Sequence, residues 1–443
     1  MCSFLFSTKK IQDVNVANYY LKFRGPDYTQ TIKYNGHIFV HNLLSITGSF
    51  TPQPLFEENI YILFNGEIYN FSHFGDYDND TKCIIPLYKK YGPSFTKYLD
   101  GEFAITLVDY KEKKVIISSD IFKTKPLFYA IENGHIGSSS YKTPLLKSGF
   151  TDIIKALPKE TIVVDLNTNK IIERFEIYHF DINQYKTTYA DWMSAFQRSI
   201  TKRAASHIRE KIFIGISSGY DSGAIACEMA LQKIYFKGYS HIGSENMNIL
   251  NLRKEKLIPY CEIEQYKTTD REWKNAHKFI VRNTEPFMYT VHSGRSSYNE
   301  YDLALVDDNG SNQFSNLCGK AKRDNRKIHL SGMGGDEIFS DYGFGGKSKY
   351  QHSNFGGLFP KDLSALFPWP SFFGSTMESY LAKEEYVGGA YGLESRYPFL
   401  DKEVVQEFLW LDVSLKNNNY KNVLHYYLTE NEFPFVCGQK IGF

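Results

Sequence analysis

Apolar residues follow two different patterns along the chain. Up to about residue 180, short apolar runs recur, and residues typical of turns separate most of them. Runs of this length predict β-strands that stack as sheets in layers. The clearest runs are Ser3–Phe6, His37–Val40, Ile60–Phe64, Ala104–Val108, Val115–Ile117 and Thr161–Val164. Among them, the segment Lys82–Tyr91 is predicted to form a helix.

The pattern changes near residue 187, where helices begin to alternate with short strands. Alternation of this kind is typical of a parallel α/β domain. The polar stretch Asp181–Thr188 is a candidate linker between the two patterns. Because 443 residues are enough for two full hydrophobic cores, we expect one domain at residues 1–180 and a second at residues 187–443.

A turn of small residues at Ile216–Ser222 is the first candidate for chemistry. It follows a predicted buried strand, Lys211–Gly215, and precedes a predicted buried helix, Gly223–Leu231. Backbone N–H groups and the helix dipole favour a phosphate at such a turn, and Asp221 can hold a metal ion. The turn lacks the Gly-Lys-Ser/Thr ending of a Walker A loop. It could equally be an ordinary turn capped by Asp221 or Ser222.

Composition narrows the range of partners. The net charge is +1, and 42% of the residues are hydrophobic, which indicates a globular protein. So small a net charge gives no reason to expect nucleic acid or an anionic membrane as a partner. No apolar run reaches the length of a transmembrane helix. The six cysteines lack metal-binding spacing, so we expect reduced thiols in a cytoplasmic protein.

Cys2 is a candidate nucleophile at the start of the chain. Aminopeptidases commonly remove Met1 before a small residue, which would leave Cys2 with a free α-amine. That amine has an ordinary pKa of about 7.7–8.0 and can act as the base for the thiol. The alternative is a small buried cysteine at the start of a strand.

Asn65-Gly66 and two acidic residues could complete a site around Cys2. An Asn amide and a Gly N–H at a turn can form an oxyanion hole. Glu67 and Asp80 could pair with the ammonium group of an amino-acid substrate. The alternatives are a hairpin turn for Asn65-Gly66 and a helix N-cap for Asp80.

These segments, with several others in the same order, resemble the glutamine-dependent asparagine synthetases. The matching segments run from residue 2 to residue 443, and their common order is far more specific than any one of them. They are Cys2, Arg24–Asp27, Asn65–Asn70, Asp120–Tyr129, Ile216–Ser222, Leu330–Phe339, Glu394–Asp401, Lys421 and Gln439–Phe443.

The resemblance implies an α+β N-terminal-nucleophile domain with four layers, αββα, of the class II glutamine amidotransferase type. It implies a following α/β adenine-nucleotide α-hydrolase-like (PP-loop) domain that acts as an ATP pyrophosphatase. Cys2 would attack the amide of glutamine, with Asn65 and Gly66 holding the oxyanion and Glu67 and Asp80 binding glutamine. ATP would activate a carboxylate, nominally aspartate, as an acyl-AMP, and ammonia from an internal tunnel would convert it to the amide.

The resemblance also implies the residues of the second site. ATP or pyrophosphate would bind at Ile216, Ser217, Gly219, Asp221, Ser222, Ser331 and Gly332. Mg²⁺ would bind at Asp221 and Asp336, and Lys421 would stabilise charge at the reacting centre. The expected partners are glutamine or ammonia, ATP and a small carboxylate, and a homodimer is left open. Asp336 as a mere helix start and Lys421 as a solvated lysine are the alternatives.

Three substitutions and one longer segment set this chain apart from the family pattern. Leu43, in the block His41–Ile46, stands where the family has an Arg that grips the glutamine carboxylate, so we predict weak glutaminase activity. Met333 stands at the acceptor site where the family has a Glu. Ser218 replaces a Gly of the turn, and Val291–Asn309 is longer than its family counterpart. The acceptor therefore remains open between aspartate and another acid, such as a sugar uronate, a small metabolite or a peptide acid. A catalytically silent regulatory homologue is a third hypothesis.

Overall fold

The computed structural model describes residues 1–205, 210–243, 245–293 and 299–441. Of the long segment Val291–Asn309, residues 294–298 lie outside this description. The strands are β1 Ser3–Ser7, β2 Tyr28–Tyr34, β3 His37–Leu43, β4 Leu55–Glu57, β5 Ile60–Ile68, β6 Gly101–Asp109, β7 Lys114–Ser119, β8 Phe128–Glu132, β9 His135–Ser139, β10 Ile154–Lys155, β11 Glu160–Asp165, β12 Lys170–Glu176, β13 Ile212–Gly215, β14 Phe236–His241, β15 Cys261–Tyr266, β16 Met288–Ser293, β17 Asn299–Ala304, β18 Ile328–Leu330, β19 Gly343–Phe344, β20 Lys347–Ser348 and β21 Glu394–Arg396.

The helices lie between and around these strands. The α-helices are α1 Val14–Ala17, α2 Leu21–Arg24, α3 Ile84–Tyr91, α4 Lys142–Lys147, α5 Ala190–Ala204, α6 Tyr220–Leu231, α7 Met247–Leu257, α8 Asp270–Asn283, α9 Asn309–Arg323, α10 Gly335–Phe339, α11 Pro370–Phe373, α12 Thr376–Ala390, α13 Lys402–Trp410, α14 Val413–Asn417 and α15 Asn422–Glu430. Short 3₁₀ helices lie at Phe71–His73, Asp80–Cys83, Gly92–Tyr98, Leu305–Asp307, Leu363–Ala365 and Pro398–Leu400.

Two antiparallel six-stranded sheets form the N-terminal domain. Their strand orders are β10-β8-β9-β1-β3-β2 and β12-β11-β7-β6-β5-β4. Side chains alternate along each strand, so Phe4 and Phe6 of β1 face the second sheet, whereas Leu5 packs toward α1, α2 and α4. On the other outer face, Ile62 and Phe64 of β5 pack against α3. The predicted αββα layers are therefore confirmed.

A five-stranded parallel sheet forms the centre of the second domain, in the order β15-β14-β13-β18-β21. Ile212 and Ile214 of β13 face a core that contains α5, α6, α13 and α15, whereas Phe213 faces α8, α9 and α12. Helices thus cover both faces, and the predicted α/β class is confirmed. The chain leaves β13 toward β14 on one side and reaches β18 on the other, which places a switch point between β13 and β18. Ligands commonly bind beyond the carboxyl ends of strands at such a point.

Two predicted helices start at other residues than expected. The helix expected at Lys82–Tyr91 begins as a 3₁₀ helix at Asp80–Cys83 and continues as α3 from Ile84. The helix expected from Gly223 begins three residues earlier, at Tyr220. Within the described ranges, none of the helices has both the length and the apolar character needed to cross a membrane.

Candidate functional site

Cys2 lies immediately before β1 and is 9% exposed. Its Sγ accepts a hydrogen bond from the N–H of Leu44 at 3.4 Å. Burial raises the pKa of the Cys2 thiol to about 12. Met1 is itself fully buried, and its ammonium nitrogen lies 3.8 Å from Glu394 Oε2. A chain that keeps Met1 therefore holds Cys2 as a buried neutral thiol, so the predicted nucleophile requires removal of Met1.

Asn65 and Gly66 lie inside β5, so both the expected turn and the alternative of a hairpin turn are wrong. Gly66 has φ +138°, and a Cβ there would lie 1.9 Å from the carbonyl oxygen of Glu102. Such an approach to the neighbouring strand admits only glycine. The Asn65 side chain is fully buried, and among the described residues neither its Oδ1 nor its Nδ2 has a hydrogen-bond partner. An unpaired buried amide is costly, and it is a suitable group to hold an oxyanion.

The two acidic residues of this site are already engaged. Asp80 Oδ2 accepts from the N–H of Ile68 at 2.9 Å, and burial raises the pKa of Asp80 to about 7. The N-cap of its 3₁₀ helix is Asn79, so the interpretation of Asp80 as the cap is wrong. Glu67 Oε1 lies 2.9 Å from Arg396 Nη2 of β21. The Glu67 carboxylate thus has a cation from the second domain as its partner.

A buried network of charges joins the two domains, and the sequence did not predict it. Arg24 Nη2 lies 2.7 Å from Glu385 Oε2 of α12, and Lys125 Nζ lies 3.0 Å from Glu385 Oε1. Arg203 Nε lies 2.8 Å from Glu102 Oε1 in the same way. Arg24 and Lys125 lie in the matching segments Arg24–Asp27 and Asp120–Tyr129, but their partner is more than 250 residues away in the chain. Sequence signals are too local to show such pairs.

Hydrogen bonds within the turn after β13 fix its backbone. Ser222 Oγ accepts from the N–H of Ser217 at 3.0 Å, and Ser217 Oγ accepts from the N–H of Gly219 at 3.2 Å. Gly219 is the N-cap of α6, so neither Asp221 nor Ser222 is the cap. Arg253, which the sequence did not single out, donates hydrogen bonds to the carbonyl oxygens of Ser217 and Gly219. These bonds engage the carbonyl oxygens of the turn, whereas the first turn of α6 faces the cleft.

A cleft of about 520 Å³ opens at the carboxyl ends of β13 and β18. Most residues predicted to bind the nucleotide line it, and these are Ile216, Ser217, Asp221, Ser222, Ser331 and Gly332. The predicted acceptor residue Met333 and the predicted metal ligand Asp336 line it as well. Gly219 is not among the lining residues, because Ile441 packs against it. A Cβ at Gly219 would lie 2.6 Å from the carbonyl oxygen of Ile441. The residues come from the two loops on either side of the switch point, which is where the parallel sheet predicts a ligand.

Two lysines and two aspartates meet at this cleft. Lys421 Nζ lies 2.7 Å from both carboxylate oxygens of Asp221 and 2.7 Å from Asp336 Oδ1. Lys440 Nζ lies 2.5 Å from Asp336 Oδ2. Burial acts to raise the pKa of Asp336, but Lys421 and Lys440 hold it below its usual range. The Lys421 side chain is only 2% exposed, so its interpretation as a solvated lysine is wrong.

Asp221 and Asp336 are the carboxylates of the cleft that could hold a metal ion, and lysines engage both of them in this structure. Across the described ranges, no group of three or more His, Cys, Asp or Glu residues could hold a metal ion. Asp221 and Asp336 supply two carboxylates. Mg²⁺ is commonly bound by one or two carboxylates together with substrate phosphates and water, so these two residues suit a metal that arrives with ATP.

The segment after β18 approaches the first turn of α6 closely. A Cβ at Gly332 would lie 2.8 Å from Cβ of Asp221, and one at Gly335 would lie 2.3 Å from Asp221 Oδ1. The two glycines therefore let Asp221 and Asp336 share one site. Met333 lines the cleft with a partly buried apolar side chain, and its N–H donates to Ser331 Oγ at 3.0 Å.

The chain is similar to known proteins along most of its length. Residues 1–195 match the glutamine amidotransferase domain family. The chain is 26% identical to "Putative asparagine synthetase [glutamine-hydrolyzing] 1" of Methanocaldococcus jannaschii, over 86% of this chain and 70% of the relative. It is also 26% identical to "Asparagine synthetase [glutamine-hydrolyzing] 1" of Saccharomyces cerevisiae, over 89% of this chain and 72% of the relative. A solved glutamine phosphoribosylpyrophosphate amidotransferase from B. subtilis is 14% identical, with a TM-score of 0.32 over 48% of this chain and 60% of that chain.

Proposed function

We propose that the chain is an ATP-dependent amide-forming ligase of the glutamine-dependent asparagine synthetase type, a proposal that its similarity to two such relatives supports. In this proposal, the cleft of the second domain activates a small carboxylate as an acyl-AMP and releases pyrophosphate. The N-terminal domain supplies nitrogen from glutamine through Cys2. The observation that carries the proposal is the placement of Lys421 between Asp221 and Asp336, at the turn after β13.

Each group around the cleft has a role in that chemistry. The acid oxygen attacks the α-phosphorus of ATP, and pyrophosphate leaves into the turn Ser217–Ser222, where hydroxyls and the start of α6 favour an anion. Asp221 and Asp336 would hold Mg²⁺ on the phosphates. Lys421 is then free to offset the negative charge that develops around the reacting phosphoryl and acyl groups. Burial strengthens that interaction, because the lysine is almost wholly screened from water.

The N-terminal site has the groups for amide hydrolysis but a poor place for free glutamine. The unpaired Asn65 amide suits an oxyanion. However, Leu43 is apolar and buried, so it offers no cation to the glutamine carboxylate. Glu67 is paired with Arg396, so it is less available to a substrate ammonium group. We therefore propose a weak glutaminase that also accepts free ammonia. A glutamine KM as low as that of an ordinary asparagine synthetase would contradict this.

The acceptor acid is proposed from the wall of the cleft that α12 helps to form. Aspartate is the nominal acceptor. Lys383 of α12 lines this wall and pairs with Asp308 at 2.8 Å. Met333 leaves the neighbouring surface apolar, which favours an acid with a larger apolar or sugar-like body as the second candidate. The buried cluster of Lys421 with two aspartates favours an enzyme over a silent regulatory homologue, because burying charged groups has a cost even when they are paired.

A pyrophosphate-release assay with a panel of acids tests the proposal. The panel holds aspartate, glutamate, uronates and short peptide acids, each with Mg-ATP and either glutamine or ammonium. We expect release that depends on one class of acid, with Asp221→Asn losing it and Cys2→Ala losing only the glutamine-dependent part. Release with aspartate that yields asparagine selects the nominal reaction, and release with another acid alone selects the second candidate. Absence of acid-dependent release with every acid and both donors would contradict the proposal.

A further inference from the structure

Glu384 of α12 lines the cleft, and one of its two carboxylate oxygens is buried without a hydrogen-bond partner among the described residues. Its Oε1 accepts from Ser331 Oγ at 2.8 Å. Its Oε2 is buried and, among the residues that the structure describes, has no hydrogen-bond partner. The nearest basic group is His329, whose Nδ1 lies 4.0 Å away. Burial lowers the pKa of His329 to about 3, so this histidine is neutral and does not balance the charge of Glu384.

The other carboxylates that line the cleft all have hydrogen-bond or ionic partners. Lysines engage Asp221, Asp308 and Asp336, tyrosine and backbone N–H groups engage Glu337, and Ser218 engages Glu245. Only Glu384, of the cleft carboxylates in the described part of the chain, has a buried oxygen left unpaired. A polar atom in this state is costly unless a ligand or a proton satisfies it.

The surroundings of Glu384 suit a group that exchanges a proton near neutral pH. Burial raises the pKa of Glu384 to about 8, and the charges of Glu385 and Glu337 act in the same direction. The hydrogen bond from Ser331 and the charge of Lys383 act in the opposite direction. An effective general base has its pKa near the working pH.

We propose that Glu384 is the general base for the amide-forming step. The inference rests on the proposed function. The lone pair of ammonia forms a C–N bond at the acyl carbon, and the C–O bond to AMP breaks with its electron pair on AMP. One N–H proton passes to the Glu384 carboxylate and later to water. Ser331 places the base, because its hydroxyl bonds both Glu384 and the N–H of Met333, in the loop that borders the reacting centre.

The test separates activation of the acid from formation of the amide. Activation is read by acid-dependent exchange of labelled pyrophosphate into ATP, and the amide is read with ammonium as donor. For Glu384→Gln we expect exchange within about threefold of wild type and amide formation reduced by about 10²-fold or more, the usual contribution of a general base. Glu384→Asp keeps the carboxylate at a shorter reach, so we expect a partial loss in the amide step alone. Glu430→Gln, exposed on α15, is the matched control and should change neither.

The pH dependence of amide formation is the second test of the inference. With unprotonated ammonia held at constant concentration, amide formation by wild type should rise with pH and level off above about pH 8, where Glu384 is ionised. Glu384→Gln should lose this rise. Equal losses of exchange and amide formation, or a normal amide rate in Glu384→Gln, would overturn the inference. If Glu384→Gln does not fold, an unchanged rate of amide formation in Glu384→Asp would also overturn the inference. If wild type shows no acid-dependent exchange, the proposed function fails first, and the inference falls with it.

Discussion

Replacing Lys421 by Met removes the buried cation that pairs with two aspartates of the cleft wall, and it keeps a side chain of similar length. In wild type, Lys421 Nζ makes three contacts of 2.7 Å to the carboxylates of Asp221 and Asp336. The variant leaves Asp221 without that cation, whereas Asp336 keeps Lys440 at 2.5 Å. The substitution therefore tests whether the charge at Lys421, rather than the shape of the site, drives the reaction.

The size of the effect follows from the burial of Lys421. A preorganised group that stabilises transition-state charge contributes about 2.7–4 kcal/mol, which is about 10²–10³ in kcat. The 2% exposure of Lys421 places it at the upper end of this range, because water does not screen it. Loss of one partner from a buried ion pair also costs up to about 3–5 kcal/mol of stability. Since burial already raises the pKa of Asp221, this carboxyl can take up a proton and reduce the cost.

The assay follows AMP formation with the acid that gives pyrophosphate release, at saturating Mg-ATP. We expect Lys421→Met to lower kcat by about 10²–10³. A denaturation curve checks that roughly 95% or more of the variant is folded under the assay conditions. Lys147→Met, exposed on α4, is the control and should keep full activity. A kcat for Lys421→Met within about threefold of wild type would refute the reasoning, since a removed charge of this kind is worth far more.

Three other predictions concern the N-terminal domain and its junction. Mass spectrometry of the intact active protein should find Met1 removed, and a fully active glutaminase that retains Met1 would contradict the role of Cys2. Gly66→Ala should destabilise the domain in urea far more than Gly36→Ala, because a Cβ at Gly66 would lie 1.9 Å from a carbonyl oxygen whereas Gly36, also at positive φ, has open space around it. Equal losses would contradict this. Two lysines hold the pKa of Glu378 at about 2 against the effect of burial. The contribution of Glu378 to the unfolding free energy is therefore present above about pH 4.5 and is lost as the pH falls toward 2. Glu378→Gln should therefore flatten the fall in unfolding free energy over that range, and an unchanged slope would contradict it.

Local patterns predicted the layers of the fold well. The short apolar runs predicted strands such as β1 and β5, because a strand that is buried on both faces leaves a continuous apolar run in the sequence. The turn predicted at Ile216–Ser222 does follow β13, but its last three residues already belong to α6.

Other features depend on pairing that no local pattern shows. Asn65-Gly66 resembles a hairpin turn in sequence, yet its register against β6 places it inside a strand. Arg24 reaches Glu385 only when the two domains pack together. Glu384 gave no signal at all, because its importance comes from an unpaired oxygen in a cleft. Such residues become visible only in three dimensions.

Transfer of an oxygen isotope tests the central claim most directly. The acid that supports pyrophosphate release is labelled with ¹⁸O in its carboxyl group and turned over with Mg-ATP and ammonium. Activation as an acyl-AMP predicts one ¹⁸O atom in the phosphate of each AMP formed, together with unlabelled pyrophosphate. AMP without the label, or ¹⁸O in inorganic phosphate beside ADP, would contradict the account.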